Sequence, residues 1–204
     1  MYRKYFKRLF DVLGAIVILI VAAPILFVVI IVLLFINHGK PFFIQKRPGK
    51  DQKEFSILKF KTMNDKKDAS GNLLSDEKRL TSIGSVLRKT SLDELPQLVN
   101  ILKGNMSFIG PRPLLKRYLL YYTEEEQVRH TVRPGITGLA QISGRNILNW
   151  DDRLRKDIEY VENLNFGLDF KIFIKTIQKV ITSKDVVVNP NSVIQDLDAI
   201  RSKN

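Results

Sequence analysis

Residues 12–36, VLGAIVILIVAAPILFVVIIVLLFI, form a run of twenty-five residues without a charge. As a helix this run is ~38 Å long, against a hydrocarbon core of ~30 Å. It continues well past Ala22-Ala23, where a leader would be cut, so it reads as a segment retained in a membrane. Pro24 stands at its midpoint, where the missing N–H and the ring clash kink or break a helix. Each half is then ~18 Å, too short to span. Both flanks are basic, with Arg3, Lys4, Lys7 and Arg8 before the run and Lys40, Lys46, Arg47 and Lys50 after it. The positive-inside rule does not orient such a pattern as a span. Two readings stand side by side: a kinked spanning helix, or a helix–break–helix hairpin with both ends in the cytoplasm.

The charge balance narrows the chemistry. Lys and Arg number 33 against 21 Asp and Glu, a net charge of +12 over 204 residues. Such an excess points to an anionic partner: phosphate, nucleic acid or acidic lipid. The chain has no cysteine, which excludes disulfides, thiolate nucleophiles and Cys-ligated zinc. With His38 and His130 as the two histidines, a Ser-His-Asp or multi-His metal site has few candidates. Neither G-x-x-x-x-G-K-[ST] nor G-x-G-x-x-G occurs, so the common nucleotide loops are absent.

The remainder reads as one compact domain with short strands and more helix. PFFIQKR and KEFSILKFKTM are expected strands joined at Pro48-Gly49, the second placing Phe55, Ile57, Lys59 and Lys61 on one face. Residues 64–80 read as a polar loop, and a short helix carrying Ile83, Val86 and Leu87 follows. In TSLDELPQLVNILKG, residues 90–104, Ser91 and Glu94 have the spacing of a capping box. Leu95, Leu98, Val99 and Leu102 then form an apolar stripe that stops at Gly104. Asp93 and Glu94 would occupy the first turn of that helix, where acidic groups suit the dipole. Structure alone accounts for both carboxylates.

Two later stretches join glycine, proline and arginine: GPRP at 110–113 and RPGITGLAQISGRN at 133–146. Each is a rigid connector or an anion-gripping turn, since loops of this kind bring backbone N–H groups to phosphate. Trp150, Leu154, Ile158 and Val161 mark one further helix. Phe170, Phe173, Ile174, Ile177 and Ile181 mark another, with Lys171, Lys175 and Lys179 on a different face. The second fits an interfacial helix with lipid on one side and anionic headgroups near its lysines. Residues 183–204 carry no readable signal.

The motifs KFKTM (59–63), LRKTSLDELPQLVNILKGNMSFIGPRP (87–113) and RPGITGLAQISGRN (133–146) resemble the bacterial sugar transferase family, the small monotopic phosphoglycosyl transferases. The resemblance extends from the basic, apolar N-terminus to LDFKIFIKT (168–176). It implies a mostly helical α+β fold: a re-entrant hairpin at 1–37 broken at Pro24, a catalytic domain at 38–182, and a tail at 183–204. It implies transfer of a sugar 1-phosphate from a UDP-sugar to membrane polyprenyl phosphate, releasing UMP, with Mg2+. It places the chain on the cytoplasmic face of the bacterial inner membrane, among anionic lipids and without a nucleic-acid partner. Within the family the wording is closest to the member that loads a bacillosamine-type sugar in protein N-glycosylation. The implied donor is UDP-N,N'-diacetylbacillosamine or another UDP-N-acetyl sugar.

By the same resemblance Asp93 is the nucleophile, forming a covalent phosphosugar intermediate, and a metal ligand, with Glu94 as its catalytic partner. Lys59, Arg88, Arg112 and Arg145 are the expected contacts to phosphate or uridine, and Asp169 joins them through the family's LDxK pattern. The sequence departs from its relatives at Ala23, where serine is common, at Asn105 for aspartate and at Lys61 for arginine. An acidic nucleophile attacking a diphosphate needs cations around it, which reconciles the dyad with the basic excess. Two rival classes remain. A membrane-tethered phosphohydrolase would use Asp93 but release sugar phosphate to water, and a binder of nucleic acid or anionic lipid would need no Asp93.

Overall fold

The structure is a computed structural model that describes residues 1–144, 148–182 and 195–202. Arg145 and most of the 183–204 segment therefore lie outside the described residues. A π-helical turn, Tyr2–Phe6, leads into α1, Lys7–Ile36. Where the sequence reading separates two helices at Pro24, the structure has one helix with the proline inside it. Pro24 removes one donor to the Ile20 carbonyl. In an apolar run the remaining backbone groups still gain most by staying helically bonded.

Both arms of α1 rest on the rest of the chain. In the first, Arg8 donates to the carbonyls of Ile101 (2.6 Å) and Leu102 (3.1 Å), and Asp11 accepts from Ser107 Oγ and Phe108 N, both at 3.0 Å. Ala15 is fully buried with Phe55, Ile57, Leu98, Ile101 and Met106. In the second, Leu33 is fully buried against Phe60 and Leu87, with Leu26, Val29 and Ile30 beside it. Asn37 closes this arm by donating to the Lys61 carbonyl at 3.0 Å. Between these anchors the helix is bare, with Ile20, Val21 and Phe27 exposed. Among the described residues it is the one helix long and apolar enough to cross a membrane.

Strands β1, Phe42–Pro48, and β2, Glu54–Phe60, pair antiparallel, with Phe42 opposite Phe60 and Pro48 opposite Glu54. The expected alternation on β2 buries Phe55 and Ile57, and Phe60, on the opposite face, is buried with Leu33. Lys59 and Lys61 line the same cleft. Lys59 turns to Glu94, and Lys61 pairs with Asp65 beyond the strand. The polar stretch that follows contains the short helix α2, Asp76–Arg79. Helix α3, Ser82–Lys89, is capped by Thr81, whose hydroxyl accepts from Gly84 N at 3.0 Å.

The expected capping box at Ser91 does not form. Ser91 lies in the left-handed region (φ 57°) and its side chain caps nothing. Leu92–Glu94 is a separate 3-10 turn, and α4 runs over Gln97–Leu102 after Pro96. The buried face of α4 is shifted to Gln97, Leu98, Asn100 and Ile101; of the expected stripe Leu98 is buried, and Leu95 and Leu102 pack partly buried against the same core. Asn100 explains the shift: its amide accepts from Leu58 N (3.0 Å) and donates to Ser56 O (2.8 Å), stitching α4 to β2.

Strand β3, Ser107–Ile109, pairs in parallel with β4, Gly135–Thr137. This pairing brings the two Gly-Pro-Arg stretches together. Gly110 N donates to Thr137 O (2.9 Å) and Gly135 N to Pro111 O (3.0 Å). A Cβ on Gly110 would sit 2.5 Å from Arg133 O, and one on Gly135 would sit 2.2 Å from Gly110 N. Both glycines are required by backbone contact. Their N–H groups are used by the fold, so neither is the phosphate donor that loop composition suggests.

Helix α5, Leu139–Ser143, leads to α6, Trp150–Glu162, whose expected face of Trp150, Leu154, Ile158 and Val161 is buried. Helix α7, Phe166–Thr182, buries Asp169 and Ile172 and exposes Phe166, Phe170, Phe173, Ile174, Ile177 and Ile181. Phe10 of α1 meets Phe166 at 5.9 Å, and Phe166 stacks on Phe170 at 6.2 Å, so the bare faces of the two helices adjoin. The tail supplies α8, Leu197–Arg201, with Leu197 buried among Leu114, Tyr118, Tyr122, Trp150 and Leu154.

Candidate active site

The site begins at Ser91. A serine in the left-handed region costs on the order of 1 kcal/mol. Here it reverses the chain at the end of α3, so that Leu92 packs against the Leu33–Phe60–Leu87 cluster while Asp93 and Glu94 face an open cleft of about 1380 Å³. Strand β2 brings Lys59, α3 brings Arg88 and the turn after β3 brings Arg112 to the same cleft.

The two carboxylates are treated differently. Glu94 Oε1 accepts from Lys59 Nζ (2.6 Å) and from Arg112 Nη2 (2.8 Å). Burial alone would raise its pKa, but Arg112 and Lys59 outweigh burial and hold it far below the usual carboxylate range. Lys59 is in turn lowered by burial against the pull of Glu94. Asp93 has no hydrogen bond or ion pair among the described residues. Burial, and then the charge of Glu94, push it up to about 6 against Lys59, Arg112 and Arg88. It remains mostly ionised at neutral pH, a carboxylate with its lone pairs uncommitted. Arg88 is aimed by Thr62, whose hydroxyl accepts from its Nε at 3.1 Å.

The walls of the cleft have two characters. The lining includes the cationic Arg47, Arg112, Arg129 and Arg153 and the apolar Ile18, Phe42, Phe43, Ile44, Ile177 and Ile181. Arg129 is a structural member: it pairs with Asp157 at 2.9 Å and its Nη2 donates to the Arg112 carbonyl at 2.7 Å, fixing the GPRP turn from behind.

Of the residues selected from sequence, Lys59, Arg88, Asp93, Glu94 and Arg112 are brought together. Asp169 is not. It is buried and absent from the cleft lining, accepting from Tyr2 (2.7 Å), Lys7 (2.7 Å) and Tyr160 (2.8 Å), so it ties the N-terminal turn to α6 and α7. Arg145 lies outside the described residues. Sequence reasoning passed over Arg47 as a membrane-flanking charge and Arg153 as part of a helix. Nothing in their spacing distinguishes them, because they reach the cleft only through the hairpin register and the packing of α6.

A membrane-seated helix, an uncommitted carboxylate beside a doubly clamped one, and a cleft part cationic and part apolar define a membrane-associated protein built for a phosphorylated substrate. The comparisons place that class. The bacterial sugar transferase family matches residues 2–183. The chain is 51% identical over 181 residues to the uncharacterized sugar transferase EpsL of Bacillus subtilis, spanning 88% of this chain and 89% of that one. It is 40% identical over 195 residues to the exopolysaccharide production protein ExoY of Sinorhizobium fredii, spanning 87% and 86%. It is 34% identical over 187 residues to the UDP-glucose:undecaprenyl-phosphate glucose-1-phosphate transferase of Caulobacter vibrioides, spanning 87% and 70%. The chain belongs to the bacterial sugar transferase family. The narrower expectation, a bacillosamine-loading member, gives way to the family itself: two of these relatives are named for sugar transfer or exopolysaccharide production and the third for glucose 1-phosphate transfer.

Proposed function

We propose that this chain transfers a sugar 1-phosphate from a UDP-sugar to polyprenyl phosphate on the cytoplasmic face of the plasma membrane. The observation that carries the reading is the contrast within the dyad, an Asp93 with uncommitted oxygens beside a Glu94 fixed by Lys59 and Arg112. An Asp93 oxygen attacks the sugar-bearing phosphorus, forming an acyl phosphate as the bond to UMP breaks and the electron pair leaves on the UMP phosphate. An oxygen of the acceptor phosphate then attacks the same phosphorus and returns Asp93 as a carboxylate. Lys59, Arg88 and Arg112 neutralise the phosphoryl oxygens in both steps, worth most where water is excluded. Glu94 holds Lys59 and Arg112 in place.

A divalent cation fits this donor set. No group of three or more acidic or histidine side chains is found among the described residues. Mg2+ commonly binds through one or two carboxylates plus substrate phosphates and water. Asp93, with its oxygens free, would hold it. When bound, it would supply charge neutralisation at the diphosphate.

The cleft's apolar side, Phe42, Phe43, Ile44, Ile177 and Ile181, suits a lipid acceptor whose phosphate reaches the dyad. Re-entry of α1 is supported by its anchors. Ala15 clusters with Ile57 and Leu33 with Phe60, strand positions about 10 Å apart, whereas a straight helix separates Ala15 from Leu33 by about 27 Å. The relatives named for exopolysaccharide favour a polysaccharide product over a protein-linked glycan.

The test is to incubate purified protein with a panel of UDP-sugars, with and without polyprenyl phosphate, and measure UMP and protein mass. A burst of UMP without acceptor, with one sugar phosphate added to the Asp93 peptide, is expected. EDTA should abolish the burst and Mg2+ restore it. UMP released only with acceptor and no adduct overturns the covalent route. Sugar phosphate released to water identifies the hydrolase instead.

A further inference from the structure

Arg47 lies on β1, outside every motif that carries the family resemblance, yet it lines the cleft. Its environment is unusual for a buried guanidinium. The Nε is buried and without a partner, and the side chain donates through Nη2 to Gln45 Oε1. No carboxylate pairs with it among the described residues. Leaving such a donor unmet is costly, most of all for a charged group. The groups around it are cationic or phenolic: Arg112, Arg117, Tyr118 and Tyr122. Burial, and then the like charge of Arg112, hold Arg47 down to about 10. By contrast the buried Arg129 has Asp157, and Arg112 has Glu94.

Arg112 connects this region to the dyad. Its guanidinium bonds Glu94, while its charge lowers both Arg47 and Arg153. Arg153 packs over the Trp150 ring at 4.5 Å and is among the residues that line the same cleft. Glu94 pairs with Arg112, whereas no carboxylate bonds Arg47 among the described residues. The same lining leaves Gln97 Nε2 and both amide atoms of Gln141 buried without partners, so the cleft is incomplete in donors and acceptors at several points. Structural polar groups are normally satisfied, so an unmet guanidinium donor beside an open cleft has a place for a polar ligand.

We propose that Arg47, with Arg112 and Arg153, forms a second phosphate subsite beside the Asp93 centre. The first subsite, at Lys59 and Arg88, takes the phosphoryl group that is transferred. The second takes a phosphate monoester: either the UMP phosphate that leaves the donor or the phosphate of the polyprenyl acceptor. A forked guanidinium suits two oxygens of one such group, and the charge of Arg47 gains a counter-ion when the anion arrives. The assignment rests on the transferase reading for the identity of its phosphates, and on the lining residues for its existence.

The experiment measures equilibrium binding of UMP and of farnesyl phosphate to the full-length protein in detergent, for wild type, Arg47→Gln and Arg47→Lys, alongside turnover. Arg47→Gln should weaken one of the two ligands roughly tenfold or more, with Arg47→Lys intermediate because it keeps charge and loses the fork. Weakened UMP assigns the subsite to the donor, and weakened farnesyl phosphate assigns it to the acceptor. Unchanged binding of both ligands in a folded Arg47→Gln protein overturns the subsite, even if wild type turns over normally. If Arg47→Gln does not fold, Arg47→Lys decides, and wild-type affinity for both ligands overturns the proposal. A wild type inert with every UDP-sugar, but whose phosphate binding still depends on Arg47, would remove the transferase reading and leave the subsite standing.

Discussion

Asp93 and Asp169 are both acidic residues withdrawn from solvent in a basic protein, and the structure surrounds them in opposite ways. Asp169 accepts from Tyr2, Lys7 and Tyr160, and Tyr160 passes the contact on to the Ile109 carbonyl. Asp93 accepts from nothing among the described residues, although Lys59, Arg88 and Arg112 all lie close enough to act on it. A carboxylate that holds elements together is saturated, because every unmet lone pair in a buried place weakens the fold. A carboxylate that meets a substrate is left open, and the fold bears that cost elsewhere. The strained Ser91 and the clamp on Glu94 are where it appears.

The largest expected effect comes from exchanging the open group. Asp93→Asn keeps the shape and removes the nucleophile, so UMP formation should fall by on the order of 10³ or more. Thermal unfolding should be unchanged or slightly later, since a buried and unpaired charge is gone. A stable, fully active Asp93→Asn protein would end the covalent mechanism and with it the contrast.

The saturated group should respond the other way. Asp169→Asn leaves Lys7 without its partner at 2.7 Å in a nearly buried position and should destabilise the fold by about 2–4 kcal/mol. UMP formation per folded molecule should stay within about twofold. Thermal melting in detergent and single-turnover assays separate the two quantities. Loss of activity at unchanged melting temperature would return Asp169 to the substrate-binding set that its LDxK surroundings suggested.

This contrast marks what could be read in the chain beforehand. The apolar run, the α6 face and the exposed face of α7 were legible because each depends on a local period. The convergence of Lys59, Arg88, Asp93, Glu94 and Arg112 was legible through resemblance, since residues from β2, α3 and the GPRP turn have no common spacing. The capping box failed because S-x-x-E also fits a serine that reverses the chain, and only the packing of Leu92 decides between them. The glycine-rich loops misled for a related reason. Composition reports that backbone comes close to something at Gly110 and Gly135, and that something is another backbone. The role of Asp169 was hidden, as it depends on contacts with Tyr2 and Lys7 more than 160 residues away in the chain.

The smallest expected effect tests whether saturation by itself marks a structural charge when it is close to the surface. Arg201 of α8 donates to Glu126 Oε2 (2.6 Å), to Glu126 Oε1 and Asp151 Oδ1 (both 2.7 Å), and to the Tyr121 carbonyl (2.6 Å). By its bond count it resembles Asp169. It is nonetheless a fifth exposed, and Asp151 is largely in water, so solvent competes for each of these bonds. Arg201→Ala should cost about 1 kcal/mol, a loss of roughly 2–4 °C in melting temperature for a chain of this size. That difference should shrink in high salt, and UMP formation should be unchanged. A loss as large as that of Asp169→Asn would mean that α8 and the Leu197 contact it secures belong to the cooperative core. A loss of activity without a loss of stability would place the C-terminal helix in communication with the cleft, and bond saturation would then no longer separate the charges that hold this protein together from those that serve its chemistry.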